Sequence, residues 1–250
     1  MTLRSDLIRG YDFHCHVDLQ KDPRATIEQC EKERLFTLAV TTTPKAFPTN
    51  QVWTRECRYV QPAAGLHPEL VADRFDELPL LLDLITRTTF VGEVGIDGSP
   101  QHRRSYEKQR EAFAKILQSA QSTGGKVLSI HSRRAAKDVI EMIEELTTPD
   151  RVLCILHWFS DSQALVHRAG NAGCYFSINA NMLDSERGAS LIKAMPPTRL
   201  LTETDAPFGS TDSRPSVPWD VLRTEERIGF GGERMKENAD RVLRFAGVIA

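Results

Sequence analysis

GYDFHCH, at residues 10–16, is a short and largely apolar stretch that ends in a pair of histidines. Seven similar runs of five to seven residues, rich in Val, Ile, Leu or Phe, follow it along the chain. Runs of this length and composition are typical of strands that are buried on both faces, as in a parallel sheet. We therefore expect eight such strands. Those after the first are predicted at residues 36–42, 60–66, 89–94, 126–131, 152–157, 174–178 and 199–203.

Amphipathic stretches separate these runs. Residues 104–123 place apolar side chains near helical spacing and stop at Gly124-Gly125, and residues 132–146 and 160–173 repeat the pattern. Eight strand–helix units in 250 residues predict an α/β protein with a (β/α)8 TIM-type barrel. A doubly wound sheet is the alternative fold, but no Gly-x-Gly-x-x-Gly motif follows the first strand.

We expect a single domain over residues 1–250, with one interruption of the strand–helix rhythm. Residues 207–232 contain three prolines and four glycines, which favour turns over regular structure. We predict that this segment is a long loop after the eighth strand. Because loops at this end of a barrel form the active site, the segment is expected to contact the substrate.

Composition and charge exclude several classes of protein. The chain has 34 acidic and 32 basic residues, for a formal net charge of −2, and 40% of its residues are hydrophobic. These values exclude a disordered chain and a strongly basic nucleic-acid coat. The first ten residues lack the apolar core of a signal peptide, and no apolar run approaches the roughly 20 residues of a membrane span. The five cysteines form no C-x-x-C pair. We therefore expect a cytoplasmic protein with reduced thiols and no membrane association.

Reactive polar side chains follow the predicted strands. Because the C-terminal ends of barrel strands converge on one mouth, these groups are expected to meet there. A packed core has no reason to collect so many costly polar side chains, so the pattern indicates a functional site. The groups at or just after the strand ends are Asp12, His14, His16, His67, Glu93, His131, His157, Glu203 and Asp205.

The spacing His14-x-His16 places both imidazoles on one side of the first strand, which suits two nitrogen ligands on one metal ion. Cys15, between them, points to the opposite face and is excluded as a ligand. Glu93 is the expected bridge between two ions, because a carboxylate has two oxygens and the fourth strand lies between the two ligand sets. We predict two divalent metal ions, Mg, Mn or Zn, the first held by His14, His16, Glu93 and Asp205 and the second by Glu93, His131 and His157.

Two such ions stabilise the attacking and leaving oxygens of a phosphodiester and activate water as the nucleophile. We expect Asp205 to act as the catalytic base that accepts the proton of this water. Glu203, two residues earlier, is the second expected catalytic carboxylate, which polarises the water or supports a ligand. His67 and Arg133 are the expected substrate contacts. Alternatively, His67 caps the local backbone, and Arg133 lies at a solvent-exposed helix start.

The sequence is less informative about the other aromatic, histidine and arginine residues that could belong to the site. Trp158 and Phe159 follow His157 and can either stack on a nucleic-acid base or pack in the barrel. His102 and His167 lie outside any motif and are expected on the surface. Further arginines that can meet a phosphate at the mouth are Arg103, Arg104 and Arg134.

The order and content of these motifs resemble the TatD family of metal-dependent deoxyribonucleases, within the amidohydrolase-type barrels. The resemblance covers almost the whole chain, from residue 12 to residue 245. It rests on DFHCHVD at 12–18, GLHPE at 65–69, GEVGID at 92–97, HSR at 131–133, HWFS at 157–160, ETDAP at 203–207 and a closing Asn238-x-x-Arg241 with Phe245.

The resemblance implies a two-metal barrel with the ligands named above and exonuclease-like trimming of DNA, in particular single-stranded DNA. Two departures leave strand preference, substrate length and polarity open. Gly98-Ser99-Pro100 stands where the family often has an aromatic residue after Asp97, and the segment after Pro207 lacks the family's Asn-Glu-Pro pattern. The chain also resembles the TatD-like component of the Qat anti-phage defence cassettes, which implies antiviral defence and partner proteins in a defence complex.

Two other functions remain open on the same residues. The site can serve a hydrolase of another ester or amide bond, such as an aminoacyl-tRNA deacylase, because the same activated water would act. Alternatively, the protein is a binding subunit of a defence complex with an inactive site. The intact set of predicted ligands argues against this second alternative.

Overall fold

The computed structural model describes residues 3–228 and 231–250. Within these residues, eight strands form two parallel sheets, of three and five strands, in the order of the chain. Each strand overlaps its predicted run, so all eight strand predictions are confirmed. The strands are β1 (Gly10–Cys15), β2 (Leu35–Val40), β3 (Val60–Ala63), β4 (Phe90–Gly95), β5 (Lys126–His131), β6 (Val152–His157), β7 (Tyr175–Ile178) and β8 (Leu200–Thr202), followed by a short antiparallel pair, β9 (Ser210–Thr211) and β10 (Arg214–Pro215).

The two parallel sheets meet at both of their edges. Next to β3, the Gly92 N–H of β4 donates to Ala64 O at 2.9 Å. On the other side, the His16 N–H after β1 donates to Ala206 O after β8 at 2.8 Å. The eight strands therefore succeed one another around a ring, which is the arrangement of the predicted (β/α)8 TIM-type barrel.

Helices cover the outside of this ring. The first begins at Asp22, whose carboxylate accepts a hydrogen bond from the Ala25 N–H at 3.0 Å. Within residues 3–228 and 231–250, no helix has the length and apolar character needed to cross a membrane. The helices are α1 (Pro23–Glu33), α2 (Phe47–Trp53), α3 (Val71–Arg74), α4 (Leu78–Arg87), α5 (Tyr106–Thr123), α6 (Ala136–Leu146), α7 (Gln163–Asn171), α8 (Ala180–Leu183), α9 (Glu186–Ala194), α10 (Val221–Ile228) and α11 (Gly231–Phe245).

Apolar side chains pack on both sides of the strands. Outside the ring, Phe113 and Ile116 of α5 are buried in the largest apolar cluster. A second cluster takes a side chain from every one of the eight barrel strands, with Phe13 and Phe36 in contact at a ring separation of 5.1 Å. Burial on both faces explains why the strands appear in the sequence as continuous apolar runs rather than as an alternating pattern.

The segment at residues 207–232, expected to be a long loop, contains regular structure. It holds the hairpin of β9 and β10, helix α10 and the start of α11, while Gly229 and Phe230 lie outside the described residues. The loop prediction was wrong because the prolines fall before α10 and leave that helix intact. Leu222 of α10 packs so closely on Gly10 of β1 that a Cβ at residue 10 would lie 2.6 Å from Leu222 Cδ2.

A partly buried carboxyl joins α10 to the seam between β1 and β8. Glu225 Oε1 accepts a hydrogen bond from the Tyr11 N–H at 2.9 Å, and burial raises the pKa of Glu225 from 4.5 to about 7. Such a group stabilises the fold least when ionised. The free energy of unfolding is therefore expected to fall by up to about 3 kcal/mol as the pH rises through this window. Glu225→Gln should remove this dependence in urea unfolding at about pH 5 and pH 8, and an unchanged pH slope would contradict the assignment.

Candidate metal centre at the barrel mouth

Two irregularities of strand pairing lie at the predicted ligands. The register of β1 and β2 shifts between Asp12 and Cys15, and that of β4 and β5 shifts between Val91 and Val94. These shifts flank His14 and Glu93. Bulges of this kind re-aim side chains and are common next to active sites.

The first group of donor atoms comes from the ends of β1, β4 and β8. His14 Nε2 and His16 Nε2 lie 3.3 Å apart, and both face Glu93 Oε2, at 3.4 and 3.2 Å. Asp205 Oδ1 lies 3.5 Å from His14 Nε2 and 3.6 Å from His16 Nε2. All four side chains are buried. The structure thus brings together the four residues predicted around one ion.

The second group surrounds the other oxygen of the same carboxylate. Glu93 Oε1 lies 2.8 Å from His131 Nδ1 and 3.0 Å from His157 Nε2. His67 Nε2 joins them, at 3.1 Å from the same oxygen. His67 was predicted only as a substrate contact, but its position makes it a candidate ligand as well.

The donor set fits divalent metal ions. Imidazole nitrogens and carboxylate oxygens are ligands for Zn²⁺, Mn²⁺ and similar cations. Ligand atoms of His14, His16 and Asp205 lie within 4.8 Å of one another, and so do those of His67, Glu93 and His131. The two groups lie on opposite oxygens of Glu93, as expected for a bridging carboxylate.

The charges of the site are strongly coupled through Glu93. Burial alone would raise the pKa of this carboxyl, but the surrounding imidazoles, His67 and His157 foremost, hold it well below its usual range. Burial raises the pKa of Asp205 to about 7, with the Glu93 carboxylate adding to the effect. Asp205 is therefore the carboxylate of the site with the greater tendency to take up a proton.

Glu203 lies behind His157 and does not line the mouth cavity. Its two oxygens accept hydrogen bonds from the Ser177 hydroxyl, from Asn179 Nδ2 at 2.9 Å and from the Trp158 N–H at 3.1 Å. Its Oε1 also lies 3.7 Å from His157 Nδ1. Of the two roles predicted for Glu203, these contacts favour support of a ligand over direct action on water.

Two further side chains support the donor groups: Asp12, which was expected at the mouth without an assigned role, and Ser129, which was not predicted. Asp12 accepts hydrogen bonds from the Thr204 N–H at 2.9 Å and the Thr204 hydroxyl at 2.6 Å, which fixes the end of β8 against β1. Ser129 Oγ lies 2.7 Å from His14 Nδ1. Asp12 could be recognised in the sequence because it opens the same motif as His14, whereas Ser129 belongs to no motif.

Asp97 fixes the orientation of His131. Its Oδ2 lies 2.7 Å from His131 Nε2, which leaves Nδ1 of the same ring facing Glu93. Burial alone would raise the pKa of Asp97, but the hydrogen bonds from His131 and Ser99 hold it below its usual range. A carboxylate behind a ligating histidine selects its tautomer and increases its basicity.

Asp97→Asn is expected to weaken metal binding about 10–100-fold, because the amide holds the His131 ring less firmly. Titration of the protein with Mn²⁺, followed by calorimetry, measures the change. Asp138→Asn is the matched control, since Asp138 accepts a hydrogen bond from the Tyr106 hydroxyl at 2.9 Å and lies outside both donor groups. Equal affinities in the two variants would contradict the role of Asp97.

A cavity of about 630 Å³ opens above the donor groups. Arg133 and Trp158 line it, as does Phe208, whose side chain is 61% exposed and meets the His16 ring edge-on at 5.1 Å. Phe208 was missed in the sequence, although it directly follows the ETDAP motif. The other candidate arginines, Arg103, Arg104 and Arg134, are not among the lining residues.

The structure also places the remaining aromatic, histidine and cysteine side chains that the sequence analysis considered. Phe159 is buried against Phe176 at a ring separation of 5.7 Å, so base stacking was the wrong alternative for this residue. His167 is exposed, as predicted. His102 is partly exposed, at 20%, and its Nε2 lies 3.4 Å from Glu69 Oε1. Cys15 packs away from the mouth, as its exclusion as a ligand requires.

Comparison with known proteins identifies the family to which this chain belongs. The sequence profile of the family described as TatD related DNase matches residues 11–240. The chain is 28% identical over 237 residues to deoxyribonuclease TATDN3 of Homo sapiens, covering 87% of this chain and 85% of that protein. It is 35% identical over 162 residues to the uncharacterized metal-dependent hydrolase TatD of Mycobacterium tuberculosis, covering 60% of each.

Solved structures show the same fold. YJJV, a TatD homologue from Escherichia coli K12, superposes with a TM-score of 0.82 at 19% identity, covering 96% of this chain and 98% of that one. An uncharacterized amidohydrolase from Saccharomyces cerevisiae matches with a TM-score of 0.68 at 16% identity, covering 96% and 95%. Because the family profile spans most of the chain, the protein belongs to the TatD related DNase family and is a metal-dependent hydrolase that acts on ester bonds.

Proposed function

We propose that this protein removes nucleotides from the ends of single-stranded DNA by metal-dependent hydrolysis of phosphodiester bonds. The observation that carries the proposal is the arrangement around Glu93, whose two oxygens each face a separate group of donor atoms at the barrel mouth. Two ions, one in each group, would stabilise the attacking and the leaving oxygen of the phosphodiester.

Side chains of the protein would supply proton transfer, phosphate binding and positioning of the histidines. Asp205 lines the mouth cavity beside His14 and His16, so its carboxylate is placed to take the proton from the attacking water. The scissile phosphate is expected to meet the exposed guanidinium of Arg133, which also lines the cavity. Glu203 and Asp97 keep His157 and His131 in place from behind.

The shape of the mouth supports a single strand end as the substrate. The cavity, of about 630 Å³, has the size of a small-molecule site and has two aromatic side chains, Trp158 and Phe208, at its lining. Unstacked bases bind to aromatic faces of this kind, whereas a paired base is not free to do so. The net charge of −2 leaves little general attraction for DNA, so binding depends on these local contacts and on the metal ions.

Phe208→Ala is expected to raise KM for single-stranded DNA about tenfold with little change in kcat, because base–aromatic stacking contributes about 1–3 kcal/mol. Hydrolysis of methyl p-nitrophenyl phosphate, which lacks a nucleobase, should change far less. Val52→Ala is the matched control, since Val52 is 69% exposed and lies outside the mouth. A KM for DNA that is unchanged in the Phe208 variant would rule out stacking at this position.

The proposed reaction is tested with end-labelled single-stranded DNA in the presence of Mg²⁺, Mn²⁺ or EDTA. We expect ladder-like shortening from one end that requires a metal ion and is abolished by EDTA. Duplex DNA and aminoacyl-tRNA are run in parallel. Intact DNA together with release of the amino acid would overturn the DNase proposal in favour of a deacylase.

We further propose that the enzyme acts in the cytoplasm as part of an anti-phage defence complex, a role that rests on the sequence resemblance. Plating of phage on cells that carry the complete defence cassette tests it. Loss of protection with Asp205→Asn is expected if hydrolysis is needed. Unchanged protection would instead favour a purely binding subunit.

A further inference from the structure

We propose that His67 is a neutral hydrogen-bond donor to the leaving oxygen of the substrate and that it is not a metal ligand. This role rests on the proposed hydrolysis of a phosphodiester. Position alone makes His67 a candidate ligand, because its Nε2 lies 3.1 Å from Glu93 Oε1. The hydrogen bond made by the other nitrogen of the ring decides between the two roles.

The backbone fixes the tautomer of His67. Its Nδ1 accepts a hydrogen bond from the Glu69 N–H at 3.2 Å. Because a backbone N–H is always a donor, Nδ1 must offer a lone pair and carries no proton. A neutral imidazole then holds its proton on the other nitrogen, Nε2. The nitrogen of His67 that faces Glu93 therefore has no lone pair for a metal ion and acts as a donor.

His131 shows the opposite arrangement. Its Nε2 lies 2.7 Å from Asp97 Oδ2, and a carboxylate oxygen accepts a proton, so the free lone pair of this ring is on Nδ1, which faces Glu93. A ligating histidine usually donates its second N–H to a carboxylate or a carbonyl in this way. In His67 the direction of the second hydrogen bond is reversed. Of these two histidines, only His131 is therefore prepared to bind a metal ion.

The N–H group of His67 is available to a substrate. The side chain is 15% exposed and lines the mouth cavity. Although Nε2 lies close to Glu93 Oε1, no residue that the structure describes accepts its proton in good hydrogen-bonding geometry. The main chain holds the residue in place, because the His67 N–H donates to Thr42 O at 2.8 Å. A fixed donor at the wall of the cavity thus has no partner within the protein.

The arrangement around Glu93 indicates which substrate atom this donor meets. His67 lies at Oε1 of Glu93, whereas Asp205 lies beside the two histidines that face Oε2. The attacking and leaving oxygens of a phosphoryl transfer lie roughly in line, on opposite sides of the phosphorus. With the attacking water at Asp205, the leaving oxygen falls on the side of His67.

The chemical step requires no proton from His67. The water oxygen forms a bond to phosphorus, and its proton passes to Asp205. The bond from phosphorus to the leaving oxygen breaks, and the electron pair stays on that oxygen. His67 keeps its proton, and its N–H stabilises the developing negative charge, as preorganised donors do in an oxyanion hole. The leaving oxygen then takes a proton from bulk water.

Two small diesters that differ only in the leaving group test this role, methyl phenyl phosphate and methyl p-nitrophenyl phosphate. At saturating Mn²⁺, His67→Ala should lower kcat/KM for the phenyl ester about 10²–10³-fold. The nitrophenyl ester should lose less than about tenfold, because its leaving group needs little stabilisation. His67→Gln, whose amide can donate, should recover part of the loss. A residue that only held Glu93 in place would slow both esters equally.

Metal content is the second measurement, and it does not depend on catalysis. After equilibrium dialysis of the full chain against Mn²⁺, His67→Gln should hold as many equivalents as the wild type, counted by mass spectrometry. His131→Gln, at a predicted ligand, should bind metal at least about tenfold more weakly. His167→Gln is the matched control, because His167 is exposed and lies outside the donor groups, and it should change neither measurement.

Three results would overturn the role of His67. These are a loss of bound metal in His67→Gln, an equal loss of rate on both esters in His67→Ala, and a wild-type protein that hydrolyses neither ester. Melting curves confirm that the variants are folded. The expected difference between the esters in a protein that leaves DNA intact would support the role of His67 and reject the DNase proposal, so the two failures remain distinguishable.

Discussion

Asp205→Asn is expected to lower the rate of DNA cleavage about 10²–10⁴-fold, because the amide cannot take the proton of the attacking water. The same side chain belongs to the first donor group, so a further loss through weaker metal binding is expected. The measurement is kcat/KM on end-labelled single-stranded DNA at saturating Mn²⁺.

The fold should tolerate this substitution. Asp205 has a positive φ of 50°, a conformation that asparagine adopts at least as readily as aspartate. Its backbone contacts, from its N–H to His14 O at 2.9 Å and from the Phe208 N–H to its carbonyl at 2.7 Å, do not involve the side chain. A melting temperature close to that of the wild type is the expected control. A folded variant that cleaves DNA at the wild-type rate would reject Asp205 as the proton acceptor.

Glu93→Gln is expected to lower kcat/KM for DNA cleavage by a similar factor, for a different reason. The carboxylate lies between imidazoles of both donor groups, and the amide removes the negative charge that they share. Removing one partner of a buried charged pair costs about 3–5 kcal/mol, which corresponds to about 10²–10⁴-fold in kcat/KM if the loss is felt in the transition state. Metal content after dialysis should fall at the same time.

Glu225→Gln is the matched control for this second prediction. It replaces another poorly exposed glutamate, which lies at the seam of β1 and β8 and outside the mouth cavity. We expect this control to keep its metal ions, its cleavage rate and its stabilisation by added metal. If Glu93→Gln behaved like the control, Glu93 would not be a ligand.

Much of the fold and of the donor set could be predicted from the sequence, for physical reasons that apply to particular residues. The strands are buried on both faces, so each appears as a short, largely apolar run, and a length of five to seven residues favours a strand over a helix. His14 and His16 share a side because the side-chain period of a strand is two. The remaining donors follow strand ends, which a barrel brings together whatever the intervening sequence.

Other features depend on geometry that a one-dimensional pattern does not contain. The register shifts around His14 and Glu93 leave no compositional signal, yet they aim the two side chains. His67 reaches Glu93 from the loop after β3, and Asp97 meets His131 from the segment that follows β4. The prolines and glycines of residues 207–232 suggested a loop, but a proline before a helix is compatible with that helix.

The Glu93 carboxylate is expected to bridge two metal ions at the barrel mouth. The most direct test is a crystal structure of the protein grown with Mn²⁺, with an anomalous difference map calculated at the manganese absorption edge. We predict two peaks about 3.5–4 Å apart, one on each oxygen of Glu93, with His14, His16 and Asp205 on one and His131 and His157 on the other. A single peak, or peaks that do not contact Glu93, would contradict the account.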